Sequence, residues 1–205
     1  MSRTLPRDSL VLDRATYVAD VRPDLRARLI PLRASRRARL GDSLALEFEN
    51  SETLLYQVQE MLMVEGVADE SAVTHELDAY SRLLPQSHSL CATLFIEADD
   101  VATVKEELRA LSGIQHSIRL EVALPGGPPR VIAGTEVPGP DEDGPSEVTH
   151  AVHFLRFSFD DQARDAFRDP SIVAELVVEH PAYAAAVPIE GDLRLLLLAD
   201  LSLEQ

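Results

Sequence analysis

In "SLALEFEN", Leu44, Leu46 and Phe48 alternate with Ala45 and Glu47, the two-residue period of a half-buried strand. The pattern then lengthens to a helical one. Asn50 is a good N-cap, Glu52 falls in the first turn where the dipole favours an acid, and Gly66 closes the segment. Asp69 caps a second helix, "ESAVTHELDAYSRLL", which stops at Pro85. A short turn between two such helices predicts an antiparallel hairpin. Upstream, Arg22 to Gly41 reads as helix with a break near Pro31, because proline removes a hydrogen bond and disfavours helix at Ile30.

From Cys91 the chain alternates between periods. "CATLFIEA" reads as strand, "DDVATVKEELRALSG" as helix and "HSIRLEVAL" as strand, with "PGGPP" turning into a paired strand, "RVIAGTEV". "PGPDEDGPSE" is a polar loop. "HAVHFLRFSF", "DDQARDAFRD" and "SIVAELVVEH" follow as strand, helix and strand, and "DLRLLLLADL" as a closing helix. Two strand–helix–strand units flanking a hairpin predict an α+β protein with a mixed or antiparallel sheet, a ferredoxin-like split βαβ sandwich plus an N-terminal helical hairpin. The expected divisions are a basic helical segment (1–42), a strand plus helical hairpin (43–86) and the sandwich (87–205), in one continuous unit.

Composition narrows the setting. At 205 residues the chain can bury a real core. The N-terminus lacks the apolar core of a secretory signal, and "LLLLA" is too short to cross a bilayer. One cysteine, Cys91, fits a reducing compartment, so the cytoplasm is expected. The net charge of −16 is unevenly spread. Residues 1–40 carry ten Arg against four Asp, and the acidic remainder argues against a nucleic-acid partner. The basic cluster, with Arg33, Arg36, Arg37 and Arg39, either pairs with the protein's own carboxylates or docks onto an acidic partner.

The first hairpin helix carries the candidate chemistry. Leu54, Leu55, Val58, Met61 and Leu62 form its core face, while Glu52, Tyr56, Gln59 and Met63 form a second stripe with Glu60 beyond it. On the second helix Glu76 falls between apolar rows, with His75 at their edge. An enclosed carboxylate loses its charge or meets a partner, so Glu76 faces an arginine, an amide such as Gln59, or a metal ion. Two readings stay open. One is a buried Arg–Glu network fixing the hairpin, with Gln59 and Tyr56 in support. The other is a divalent-metal or iron site built from Glu76, His75, Glu60 and Glu52. His150 and His153 lie three residues apart and, on a strand, would face opposite ways. His180 before Pro181 reads as a turn residue. Neither a phosphate-binding loop nor a Gly-x-Ser-x-Gly or Cys-x-x-Cys motif occurs.

The segments "RPDLRARLI", "LEFENSETLLYQVQEML", "HELDAYSRLLP", "ATLFIE", "HFLRF" and "EHPAY" together resemble the bacterial domain of unknown function family 3501, over residues 10 to 200. Members of that family are often encoded beside rubrerythrin and iron–sulfur oxidoreductases. The resemblance therefore implies a non-catalytic accessory or partner protein in a peroxide-defence or iron–sulfur redox system, with rubrerythrin or such an oxidoreductase as partner. The alternative is a metal- or cofactor-binding protein, an oxidoreductase among the options, using the hairpin carboxylates.

Overall fold

The computed structural model describes residues 4–66, 69–97, 104–139 and 149–202. Among the described residues eight strands form one sheet: β1 (Arg37–Leu40), β2 (Leu44–Phe48), β3 (Ser89–Ile96), β4 (Ile118–Leu124), β5 (Gly127–Glu136), β6 (Val152–Ser158), β7 (Ala174–His180) and β8 (Tyr183–Pro188). Their spatial order is β1-β2-β3-β6-β5-β4-β7-β8, and every neighbouring pair is antiparallel. The sheet curls until its two ends approach, giving a nearly closed barrel. Tyr183 of β8 links them: its hydroxyl donates to Leu40 O at 2.6 Å and accepts from Ser43 N at 3.2 Å. Gly41 makes this possible. Its φ of +66° favours glycine, and a Cβ there would run into the Tyr183 hydroxyl.

The ferredoxin-like sandwich with its N-terminal helical hairpin is therefore replaced by a barrel-like antiparallel sheet with helices around it. In that sandwich the two strands of each strand–helix–strand unit would lie parallel with one strand between them, whereas β3 and β4 here lie three places apart in the sheet. The two strands absent from the sequence reading, β1 and β8, are the ones that bring the ends together. Helices α1 (Arg14–Thr16) and α5 (Val104–Ala110) are short; helix α2 (Arg22–Ser35) continues through Pro31, which is exposed, so water can satisfy the carbonyl that proline leaves unbonded. The helix stops at Ser35, and "RARL", expected to be helical, pairs with β2 instead. The expected Asp cap ahead of "VATVKEELRA" and most of the "PGPDEDGPSE" loop lie outside the described residues.

Apolar side chains alternate into the barrel: Leu44, Leu46 and Phe48 from β2, Leu90 to Ile96 at every second position from β3, and Leu155 and Phe157 from β6. Ala163 and Phe167 of α6 (Asp161–Arg168) and Leu197 and Leu201 of α7 (Gly191–Leu201) join the same cluster. A second cluster lies on the sheet's outer face. There α3 (Ser51–Glu65) and α4 (Glu70–Ser81) contribute Leu54, Val58, Leu62, Val73, Leu77 and Tyr80, packed against Phe154 and Val137, with Leu5 and Leu10 of the N-terminal segment. Helix α3 starts in a capping box: the Asn50 side chain accepts from Thr53 N, and Thr53 Oγ1 accepts from Asn50 N at 2.9 Å. Gly66, with φ +67°, ends it.

Candidate functional site

Between this helical cover and the outer sheet face lies a cavity of about 500 Å³. Its floor is Thr93 and Phe95 of β3 with Val152 and Phe154 of β6. Tyr80 of α4 and Val137 complete the apolar wall, and Arg33 of α2 and Gln57 of α3 reach in from above. Glu136, His150 and His153 mark one end. A pocket of this size with apolar walls and a few converging polar groups has the form of a small-molecule site.

The local sequence explains the arrangement. In β3, Leu94 and Ile96 fill the barrel while Cys91, Thr93 and Phe95 point outward, so both faces are covered. In β2 the outward positions are Ala45 and Glu47, and Glu47 is buried at 1% exposure. Its carboxylate accepts from Arg33 Nε and from Arg37 Nη1, the latter at 3.3 Å. Arg37 also binds Glu97 and stacks over the Phe95 ring at 5.1 Å. Burial alone would pull the Arg33 guanidinium down, but its bond to Glu47 and the nearby Glu47 and Glu49 carboxylates hold it above its ordinary value.

Glu49 lies directly behind this wall and is also buried. It accepts from the Thr53 and Thr93 hydroxyls and from Gln57 Nε2 at 3.0 Å. Removal from water pushes its pKa up, against the pull of those donors. At the other end, His153 Nδ1 lies 2.7 Å from Glu136 Oε1, and Nε2 lies 2.8 Å from Thr149 Oγ1. A carboxylate can only accept, so Nδ1 donates to Glu136. Both ring nitrogens are engaged, and His153 is locked in place. His150 is exposed, and its ring stands edge-on to that of His153 at 6.3 Å. The opposite-face expectation for these two does not hold, because His150 lies ahead of β6, beyond the bend at Ala151, and the two rings meet edge-on.

The residues singled out in sequence fall elsewhere. Glu60 holds Arg22 through Nη2 at 2.6 Å and accepts from the Tyr17 hydroxyl at 2.7 Å; the Arg22 bond, ahead of the other contacts, lowers its pKa. Glu52 is exposed and pairs with Arg28 at 3.0 Å. Gln59 is buried and clamps Val11, accepting from its N–H at 2.8 Å and donating to its carbonyl at 2.9 Å. Tyr56 is half-buried and interacts electrostatically with Tyr17, Arg22 and Arg33. Glu76 is half-buried with Oε2 shielded from solvent, whereas His75 is exposed. Among the described residues no group of three or more His, Cys, Asp or Glu side chains is arranged to hold a metal ion.

The basic cluster is bonded within the chain, with Arg36 buried and Arg39 exposed. Arg36 is buried, donating from Nε to Phe48 O at 2.7 Å and from Nη2 to the Asp200 carboxylate. Arg37 and Arg39 share Glu97, and Arg33 holds Glu47. His180 bonds Ala182 N and so does fix the β7–β8 turn. The sequence reading missed Glu47, Glu49, Thr93, Phe95, Glu136 and His153 as site residues. One signal was present: a strand apolar on both faces must be covered on both faces, so "CATLFIEA" already implied a second layer outside the sheet.

The profile of a family described as "Protein of unknown function (DUF3501)" matches residues 4–201. Among curated proteins none matches the chain. The crystal structure of a novel protein of unknown function from Burkholderia pseudomallei K96243 is similar to it, with a TM-score of 0.82 and 34% identity over 97% of this chain and 100% of that one. Among the described residues, no helix is long and apolar enough to cross a membrane.

Proposed function

The chain belongs to DUF3501, a family of proteins of unknown function, and we propose that it is a non-catalytic accessory protein, cytoplasmic, that binds a small and largely apolar molecule between its barrel and its helical cover. The observation that supports this reading is the cavity itself, about 500 Å³, walled by apolar side chains and partly open to solvent. Apolar walls left in water favour a ligand that covers them. Phe95, Phe154 and Val152 offer the apolar bed, and Arg33, Gln57 and His150 the polar contacts that would orient a ligand.

The expected setting in peroxide or iron–sulfur chemistry rests on the family resemblance alone. Docking through Arg33, Arg36, Arg37 and Arg39 would compete with the bonds that all four make to groups of this chain. The metal alternative needs Glu60 and Glu52 to turn away from Arg22 and Arg28.

The neutral fluorophore N-phenyl-1-naphthylamine tests the proposal. Its emission should rise when it is added to the native protein, and Val152→Trp, which places an indole in the cavity from an outward strand position, should abolish the rise without unfolding the protein. A probe that stays dark, or one indifferent to Val152→Trp, contradicts the reading.

A further inference from the structure

Arg33 enters the cavity wall already oriented. Its Nε is held by Glu47, and Glu47 is held in turn by Arg37. Among the described residues its two terminal nitrogens make no hydrogen bond, and they form a planar pair of donors, the geometry that a carboxylate takes two at a time. Its side chain is one-third exposed although it lines a cavity, so a ligand entering there can reach it.

Arg33 is the arginine in the cavity wall; Glu47 and Glu97 are bonded to arginines, and Glu49 lies behind Gln57 and Thr93, which bond to it. Among the described residues of the cavity wall the carboxylate is Glu136, on β5, three strands from Glu47 on β2, the partner of Arg33, and it is hydrogen-bonded to His153. The floor is Phe95, Val152 and Phe154. A wholly neutral ligand would cover the guanidinium fork without giving it an acceptor, which is unfavourable once water is displaced.

We infer that the molecule bound in this cavity is an apolar organic carboxylate, its anionic end on Arg33 and its hydrocarbon or aromatic body over Phe95 and Phe154. This rests on the ligand-binding reading above and adds the chemical class. Glu47 is a positioning residue: it fixes Arg33 without touching the ligand.

Isothermal titration calorimetry with the matched pair 4-phenylbutyrate and 4-phenylbutan-1-ol tests it. The carboxylate should bind at least about tenfold more tightly than the alcohol, the difference expected of one charge-assisted pair. Arg33→Met should bring the two to parity with little change for the alcohol, and Arg33→Lys should restore part of the preference. Because Arg33→Met strips one partner from buried Glu47, the double variant Arg33→Met/Glu47→Gln guards against unfolding and should also show parity. Equal binding to the native protein, or a preference that survives in the double variant, overturns the assignment of an anion while leaving the cavity intact. If neither compound binds, the inference fails, and the neutral fluorophore shows whether the ligand-binding reading fails with it.

Discussion

Inside the barrel, Leu46, Phe48, Leu94, Leu155 and Phe157 sit in one apolar cluster; on the outer face of the same strands, Glu47, Glu49, Cys91 and Thr93 are packed beneath helices. Both layers are buried, yet they differ in kind. The inner one is held by non-directional apolar burial, which tolerates no gap without loss. The outer one is held by fixed bonds between charged and polar groups, and such bonds can frame an open cavity without filling it. Stability is concentrated in the first layer and recognition in the second.

Truncations should separate the layers most sharply. Phe157→Ala opens a hole in the inner cluster and should cost about 3–5 kcal/mol in urea unfolding. Phe95→Ala merely enlarges an existing cavity and should cost about 1 kcal/mol, while weakening ligand binding. Similar losses from the two would erase the distinction.

The buried pair Arg36–Asp200 joins the end of α2 to α7, tying the outer layer to a helix that packs on the inner cluster. Arg36→Met leaves the Asp200 carboxylate without its cation and should cost about 3 kcal/mol by the same measurement. Unchanged stability would mean that the layers are not fastened there.

Two glutamates of the outer layer should respond to pH with opposite signs. Glu49 has its pKa raised by burial, so the folded state holds its proton longer than the unfolded state does. Its contribution is therefore complete below the unfolded carboxyl pKa of about 4.3 and declines as pH rises above that value. Glu60 is lowered, chiefly by Arg22, so its contribution is present above about pH 4.3 and is lost as pH falls through the folded value. Unfolding curves across pH 3 to 8 should show Glu49→Gln flattening the decline toward neutral pH. Glu60→Gln should lower stability at pH 7 by up to about 1 kcal/mol and change little at pH 3. Matching pH profiles for the two variants would contradict these directions.

The smallest effect concerns Cys91, on the outer face of β3 and pushed up to about 12 by burial. A disulfide reagent at pH 8 should leave it unmodified in the native protein and react with it only on unfolding. Fast native labelling would mean that the cover over β3 is open.

Much of this fold was legible in the sequence, for reasons tied to particular residues. Strands β2, β3, β4, β6 and β7 show a clear apolar period, and Asn50, Gly66, Asp69 and Asp160 mark helix ends through local chemistry. Strands β1 and β8 were hidden. "RARL" continues a helical run of arginines, and "YAAAVP" is rich in alanine and ends in proline, so each takes its conformation from its partner strand. Without them the closure of the barrel could not be read. The cavity was less legible still. Arg33, Gln57, Thr93 and Phe154 come from four elements spread over 122 residues, and no spacing rule connects them. The polar stripe of α3 did identify a helix pressed on two sides, but its residues serve the N-terminal segment: Gln59 holds Val11 and Glu60 holds Arg22.

The most direct measurement is a crystal structure of the protein grown with 4-phenylbutyrate. The account predicts the phenyl ring over Phe95 and Phe154 and the carboxylate on the terminal nitrogens of Arg33. A cavity closed by the protein's own side chains, or the compound bound elsewhere with this space empty, would contradict it.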